Sequence, residues 1–154
     1  MIKEDYVSFE TAKLLKEKGF NEYCWKLYEL GDCNIPVLLN GFELSDESGF
    51  WNNKYLELYK KEHCYINDIC SAPTLQMAMK WLREDKKILI SIFCHIDKGY
   101  WFCIQHFINS PYKFATSESI HRKEEILGRI QYYDTYEQAC EAAILYCLKE
   151  LIKE

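Results

Sequence analysis

Ile88-Leu89-Ile90-Ser91-Ile92-Phe93-Cys94-His95-Ile96-Asp97-Lys98-Gly99-Tyr100-Trp101-Phe102-Cys103-Ile104-Gln105 is the stretch that decides the fold. Ile88, Ile90, Ile92, Cys94 and Ile96 alternate with Leu89, Ser91, Phe93 and His95, and successive strand side chains point to opposite faces. Asp97-Lys98-Gly99 fits a type I turn followed by a left-handed glycine, a common three-residue hairpin loop. That loop sets Ile96 against Tyr100, Cys94 against Phe102 and Ile92 against Ile104, giving one almost wholly apolar face. A two-residue loop would mix the apolar set with Trp101, Cys103 and Gln105. The spacing predicts the three-residue loop.

Flanking the hairpin, the pattern turns helical. Leu75, Ala78, Met79 and Leu82 recur at i, i+3, i+4 and i+7, with Trp81 widening the stripe. Ser71-Ala72-Pro73-Thr74 reads as its start, a capping hydroxyl with proline in the first turn. A last helix opens at Asp134 or Thr135, where Asp134-x-x-Glu137 and Thr135-x-x-Gln138 both fit a capping box. Its stripe is Tyr136, Ala139, Cys140, Ala143, Cys147 and Leu151. Tyr112-Lys113-Phe114 and Ile126–Tyr133 are further strand candidates.

Towards the N-terminus, Ser8 is an N-cap for a helix over 8–18 closed by Gly19, with Phe20 folding back. Cys24-Trp25-Lys26-Leu27-Tyr28, Tyr55-Leu56-Glu57-Leu58-Tyr59 and His63-Cys64-Tyr65-Ile66 are strand-like. Gly41–Asn53, with Ser45-Asp46-Glu47-Ser48-Gly49 and Asn52-Asn53, reads as a loop. The expected fold is α+β, with an antiparallel sheet and helices on one face. Residues 71–152 run α-β-β-β-α, preceded by an N-terminal helix and short strands. The 154 residues are read as one domain. Within it, 1–70 holds the N-terminal helix, strands and loop, and 71–154 the helix–strands–helix core.

Composition excludes several classes. The chain is 49% hydrophobic, 16% aromatic and 28% charged, which argues against disorder. Its net charge is −5. Residues 1–71 hold eight Lys/Arg against thirteen Asp/Glu, and residues 72–154 hold eleven of each. Neither half is basic, so nucleic-acid binding is disfavoured. Acids stand in Met1-Ile2-Lys3-Glu4-Asp5 where a leader peptide carries basic and apolar residues. The apolar run near Ile88–Cys94 is far shorter than the ~20 residues that span a bilayer. No membrane role and a cytoplasmic location are expected. The eight cysteines lie among apolar neighbours and read as reduced core thiols.

Tyr6–Phe20, Ala72–Glu84 and Tyr133–Ala143, about a quarter of the chain, resemble a group of small proteins of gut bacteria, their phages and mobile elements, with no established activity. The resemblance implies an intracellular accessory protein and transfers no functional residue. The helix–strands–helix order of 71–152 is similar in order to double-stranded-RNA-binding domains. That family carries lysines at the start of the last helix, where this chain has Asp134-Thr135-Tyr136-Glu137-Gln138.

Chemistry is sparse. Cys94-His95 and Cys103-x-x-His106 have zinc-ligand identities. Strand alternation, however, sets Cys94 with His106 and His95 with Cys103 on opposite faces. His63-Cys64 with Cys70 lacks zinc-ligand spacing. His95 and Cys103 are the best arrangement for an activated thiolate. Asp46-Glu47 and Glu124-Glu125 read as solvated charge, and the six glycines form no phosphate loop. No catalytic residue, metal or cofactor is assigned. The hairpin's second face carries Phe93, His95, Trp101, Gln105 and Phe107. Such a ring-bearing face is covered by residues 20–60, by a protein partner or second copy, or by a small ligand. The expected function is non-enzymatic binding. Alternatives are a counter-defence protein that sequesters a signalling nucleotide or blocks a host protein, and a His/Cys enzyme.

Overall fold

The computed structural model describes residues 4–40, 66–107, 114–115 and 131–152. The strand expected at Tyr55–Tyr59, the Gly41–Asn53 loop and the two carboxylate pairs lie outside the described residues. So do His63–Tyr65, Tyr112-Lys113 and residues 126–130. The fold is α+β, with an N-terminal helix and antiparallel sheets. Its described residues form two compact units that adjoin in sequence at Thr74 and Leu75.

In the first unit, α1 (Phe9–Glu17) starts where the Ser8 hydroxyl accepts a hydrogen bond from the Thr11 amide. It stops at Gly19, whose φ of +88° carries little penalty without a Cβ. Gly19 N–H donates to the Lys16 carbonyl and Phe20 N–H to Leu15, the paired bonds of a Schellman close. Phe20 folds back and is fully buried. β1 (Lys26–Gly31) lies between β2 (Pro36–Asn40) and β3 (Ile66–Ala72), antiparallel to both. Lys16 ties α1 to β3: its Nζ is 2.9 Å from Asp68 Oδ1 and 2.7 Å from the Ile69 carbonyl. Tyr28 packs edge-on against Phe9, and its hydroxyl donates to the Val7 carbonyl at 2.8 Å.

Two sequence expectations change in this unit. Ser71 is no helix cap; it sits in β3 opposite Leu27, with both side chains fully buried. A capping hydroxyl and a small strand residue look alike in sequence, and here the strand continues through Ala72. β2, which the sequence did not announce, opens on Pro36, and proline is tolerated as the first residue of an edge strand.

In the second unit, α2 (Leu75–Glu84) is followed by β4 (Ile88–His95), β5 (Gly99–Phe107) and β6 (Phe114–Ala115). α3 (Tyr136–Tyr146) completes it and runs into a π-helical turn, Cys147–Leu151. This is the expected α-β-β-β-α order. Thr135 caps α3 by accepting from the Gln138 amide, and the Gln138 side chain accepts in return from the Asp134 amide. α2 and α3 touch each other; α2 lies on β4 and α3 on both β4 and β5. Ile88, Ile90 and Ile104 are buried with Leu75, Ala78, Trp81 and Leu82 of α2 and Ala139, Cys140, Ala143 and Ile144 of α3. Each such large aliphatic side chain contributes roughly 1.5–3 kcal/mol when fully buried. Along the last helix the buried stripe is wider than the spacing predicts, taking in Ile144 and Leu148, while Tyr136 stays 36% exposed.

The hairpin register also differs from expectation. His95 pairs with Gly99, Cys94 with Tyr100 and Ile92 with Phe102, so the loop is Ile96-Asp97-Lys98. Lys98 N–H closes the turn on the His95 carbonyl at 3.2 Å, and Gly99 follows at φ +96°. Ile96 is thereby lifted off the sheet and is 94% exposed. The turn starts one residue earlier than predicted, while the left-handed residue is Gly99 as expected. Because partners shift by two, each residue keeps its expected face.

Candidate functional site

The two faces of the hairpin part company at its turn. On the helix-covered face, Tyr100 meets the Tyr136 ring edge-on at 6.2 Å, and Phe102 stacks near Tyr133 at 6.0 Å. On the opposite face, Phe93 and Trp101 are direct cross-strand partners. Their rings stack at 4.7 Å with 22° between planes, and Phe93 remains 45% exposed.

Next along this face stands His95, exposed, with its ring edge-on to Tyr132 at 5.9 Å. Its Nδ1 accepts a hydrogen bond from the Asp97 amide at 3.3 Å, which ties the ring to the turn. Lys98 Nζ lies 5.5 Å from the Tyr132 centroid, within cation–π range. Phe93, Trp101, His95, Tyr132 and Lys98 thus form a ring cluster with an ammonium at one end.

Of the residues expected at the site, Phe93, Trp101 and His95 come together. Gln105 is half-buried opposite Leu89, four positions along β5 from Trp101, or roughly 13 Å. Phe107 ends the strand, where it pairs with Phe114. Those two lie along the strip but outside the cluster. Sequence reasoning missed Tyr132 and Lys98. Tyr132 adjoins Tyr133, which is bonded across to Tyr100 through both backbone groups, and no local pattern marks that long-range pairing. Lys98 lay in the turn and was read only for backbone conformation.

His95 and Cys103 are not neighbours. His95 stands opposite Gly99 and Cys103 opposite Ser91, four ladder positions or roughly 13 Å apart. Cys94 and His106 are separated by six positions, roughly 20 Å. Among the described residues, no three His, Cys, Asp or Glu side chains gather as a metal site. No helix among them is long and apolar enough to cross a membrane.

No family model matches the chain, and no curated protein or solved structure does either.

The seven described cysteines are thiols, and four of them are fully buried. Burial pushes the Cys24 thiol up to about 12, against the lowering effect of its hydrogen bond with Ser71. Burial, then the charge of Asp68, raises Cys70 to about 12. Cys147 reaches about 12 and Cys140 about 11, again chiefly through burial. These four are packing groups that stay protonated at neutral pH, the opposite of an activated nucleophile.

Proposed function

We propose that this chain is a non-enzymatic binding protein of the cytoplasm, an accessory protein of gut bacteria or their phages. It engages its partner through the ring-bearing side of β4 and β5. The observation that carries this reading is the Phe93–Trp101 stack, whose outer ring is 45% exposed. Aromatic side chains supply a large share of the binding energy at protein interfaces. The test is affinity capture from a host lysate, followed by calorimetric titration of the captured partner. Replacing Phe93 and Trp101 together by alanine weakens that affinity by about 100-fold or more. An unchanged affinity, with the variant folded by circular dichroism, sinks this site.

A second reading is favoured by the Lys98 ammonium beside Tyr132. A signalling nucleotide could stack its base on Phe93 and turn its phosphate to Lys98, as in a sequestering counter-defence protein. Calorimetry against a panel of cyclic and linear nucleotides decides between the two readings.

A further inference from the structure

The outer strand of the second sheet is built unlike a protected edge. β4 is the edge of the order β4-β5-β6 among the described residues. Its eight residues, Ile88–His95, include no Lys, Arg, Asp, Glu or Pro, and its ladder to β5 runs without a bulge. Natural edges are kept apart by such charges, prolines and bulges. In the first sheet β2 opens on Pro36, and the β1–β3 ladder is broken between Leu30 and Gly31. On β4, Phe93, Cys94 and His95 are exposed in succession, so both sides of the strand are open at this end. Ile96, 94% exposed, extends the open stretch.

We infer that a second copy of this chain adds to β4, strand against strand, around a two-fold axis at Phe93. An antiparallel pair related by an axis normal to the sheet keeps every residue on its own face. Phe93 then meets Phe93 of the second copy, Cys94 meets its Ile92, and His95 meets its Ser91. The ring sequence Trp101–Phe93 continues into Phe93–Trp101 of the other copy, covering the side of Phe93 that Trp101 leaves open. Cross-strand aromatic pairs of this kind stabilise the pairing of the strands that carry them.

Charge fits the same register. Along the strand itself no like charges meet, because it carries none. The helix-covered faces stay on one side of the resulting six-stranded sheet and the ring-bearing faces on the other. The association does not rest on the binding reading above, although both use Phe93: the second copy is held by the edge of β4, whereas the partner engages the ring-bearing face that Trp101, His95 and Tyr132 extend.

Sedimentation velocity on the full chain, alone and over a concentration series, measures the association. The expected mass is twice 18.4 kDa. Phe93→Lys sets two like charges opposite each other and gives the monomer, with circular dichroism confirming the fold. A second route does not depend on that variant. In a background of Cys33→Ser and Cys94→Ser, Phe93→Cys crosslinks on mild oxidation, because directly opposed Cα atoms lie about 4.5–5.5 Å apart. Ser91→Cys does not crosslink to itself, since that position faces His95. Peptide mapping identifies the bond. A monomer at every concentration overturns the inference, and so does a dimer that Ser91→Cys links and Phe93→Cys does not. Trp101→Ala separates the two readings: it impairs partner binding while leaving the dimer mass in place.

Discussion

Gly99 lies against the backbone of Tyr133 so closely that a Cβ on Gly99 would overlap the Tyr133 carbonyl oxygen. The same contact carries reciprocal hydrogen bonds between Tyr100 and Tyr133, at 2.8 and 2.7 Å. Gly99 also holds a φ of +96°. Gly99→Ala therefore adds backbone strain and a steric clash together, a loss of at least about 2 kcal/mol. Gly19→Ala is the control. At φ +88° with nothing near its Cβ position, it loses only the conformational part, about 1 kcal/mol. Urea unfolding of both variants measures the difference, and equal losses would show that the Tyr133 contact is not formed.

Lys16 satisfies an acid and a carbonyl of β3 at once, and it is only 22% exposed. Lys16→Met keeps the aliphatic stem and removes the ammonium. That leaves Asp68, 23% exposed, without this cation. The expected loss is about 1–2 kcal/mol, with faster amide exchange along β3. Stability within about 0.3 kcal/mol of the wild type would mean the ammonium is released to solvent at no cost.

Alkaline pH acts through the thiols. Unfolded cysteine ionises near the ordinary value of 9.0, whereas folded Cys24, Cys70 and Cys147 hold their protons to about 12. Between these values the folded state binds more protons, so stability falls as pH rises. This contribution is intact below about pH 9. Each such thiol then removes up to about 1.4 kcal/mol per pH unit. Cys147→Ala loses core packing at every pH but has a shallower alkaline slope. Parallel slopes for variant and wild type between pH 8 and 11 would contradict the assignment.

Legibility in the sequence followed the range of the interactions. Ser8, Gly19 and Phe20 act within one turn of helix, and their roles were readable from neighbours alone. The hairpin faces were readable because parity survives a two-residue change of partners. Its register was not, because Ile96 continues the apolar alternation while its backbone has already entered the turn. Ser71 misled for a related reason: a small hydroxyl residue before proline fits a cap as well as the end of a buried strand. At the candidate site, Phe93, His95 and Trp101 follow from alternation. Tyr132 arrives from more than thirty residues away, through a backbone pairing that no periodicity encodes.

Tyr6 bridges to Thr74, and the Val7 amide donates to the Pro73 carbonyl at 3.1 Å. The first unit is thus stitched shut by its own two ends. During synthesis its opening residues wait, with their partners still unmade, until the ribosome has delivered residue 74. Long-range closure of this kind slows folding. Until that closure is made, the packing that seals Leu15 and Leu27 in the folded interior is incomplete.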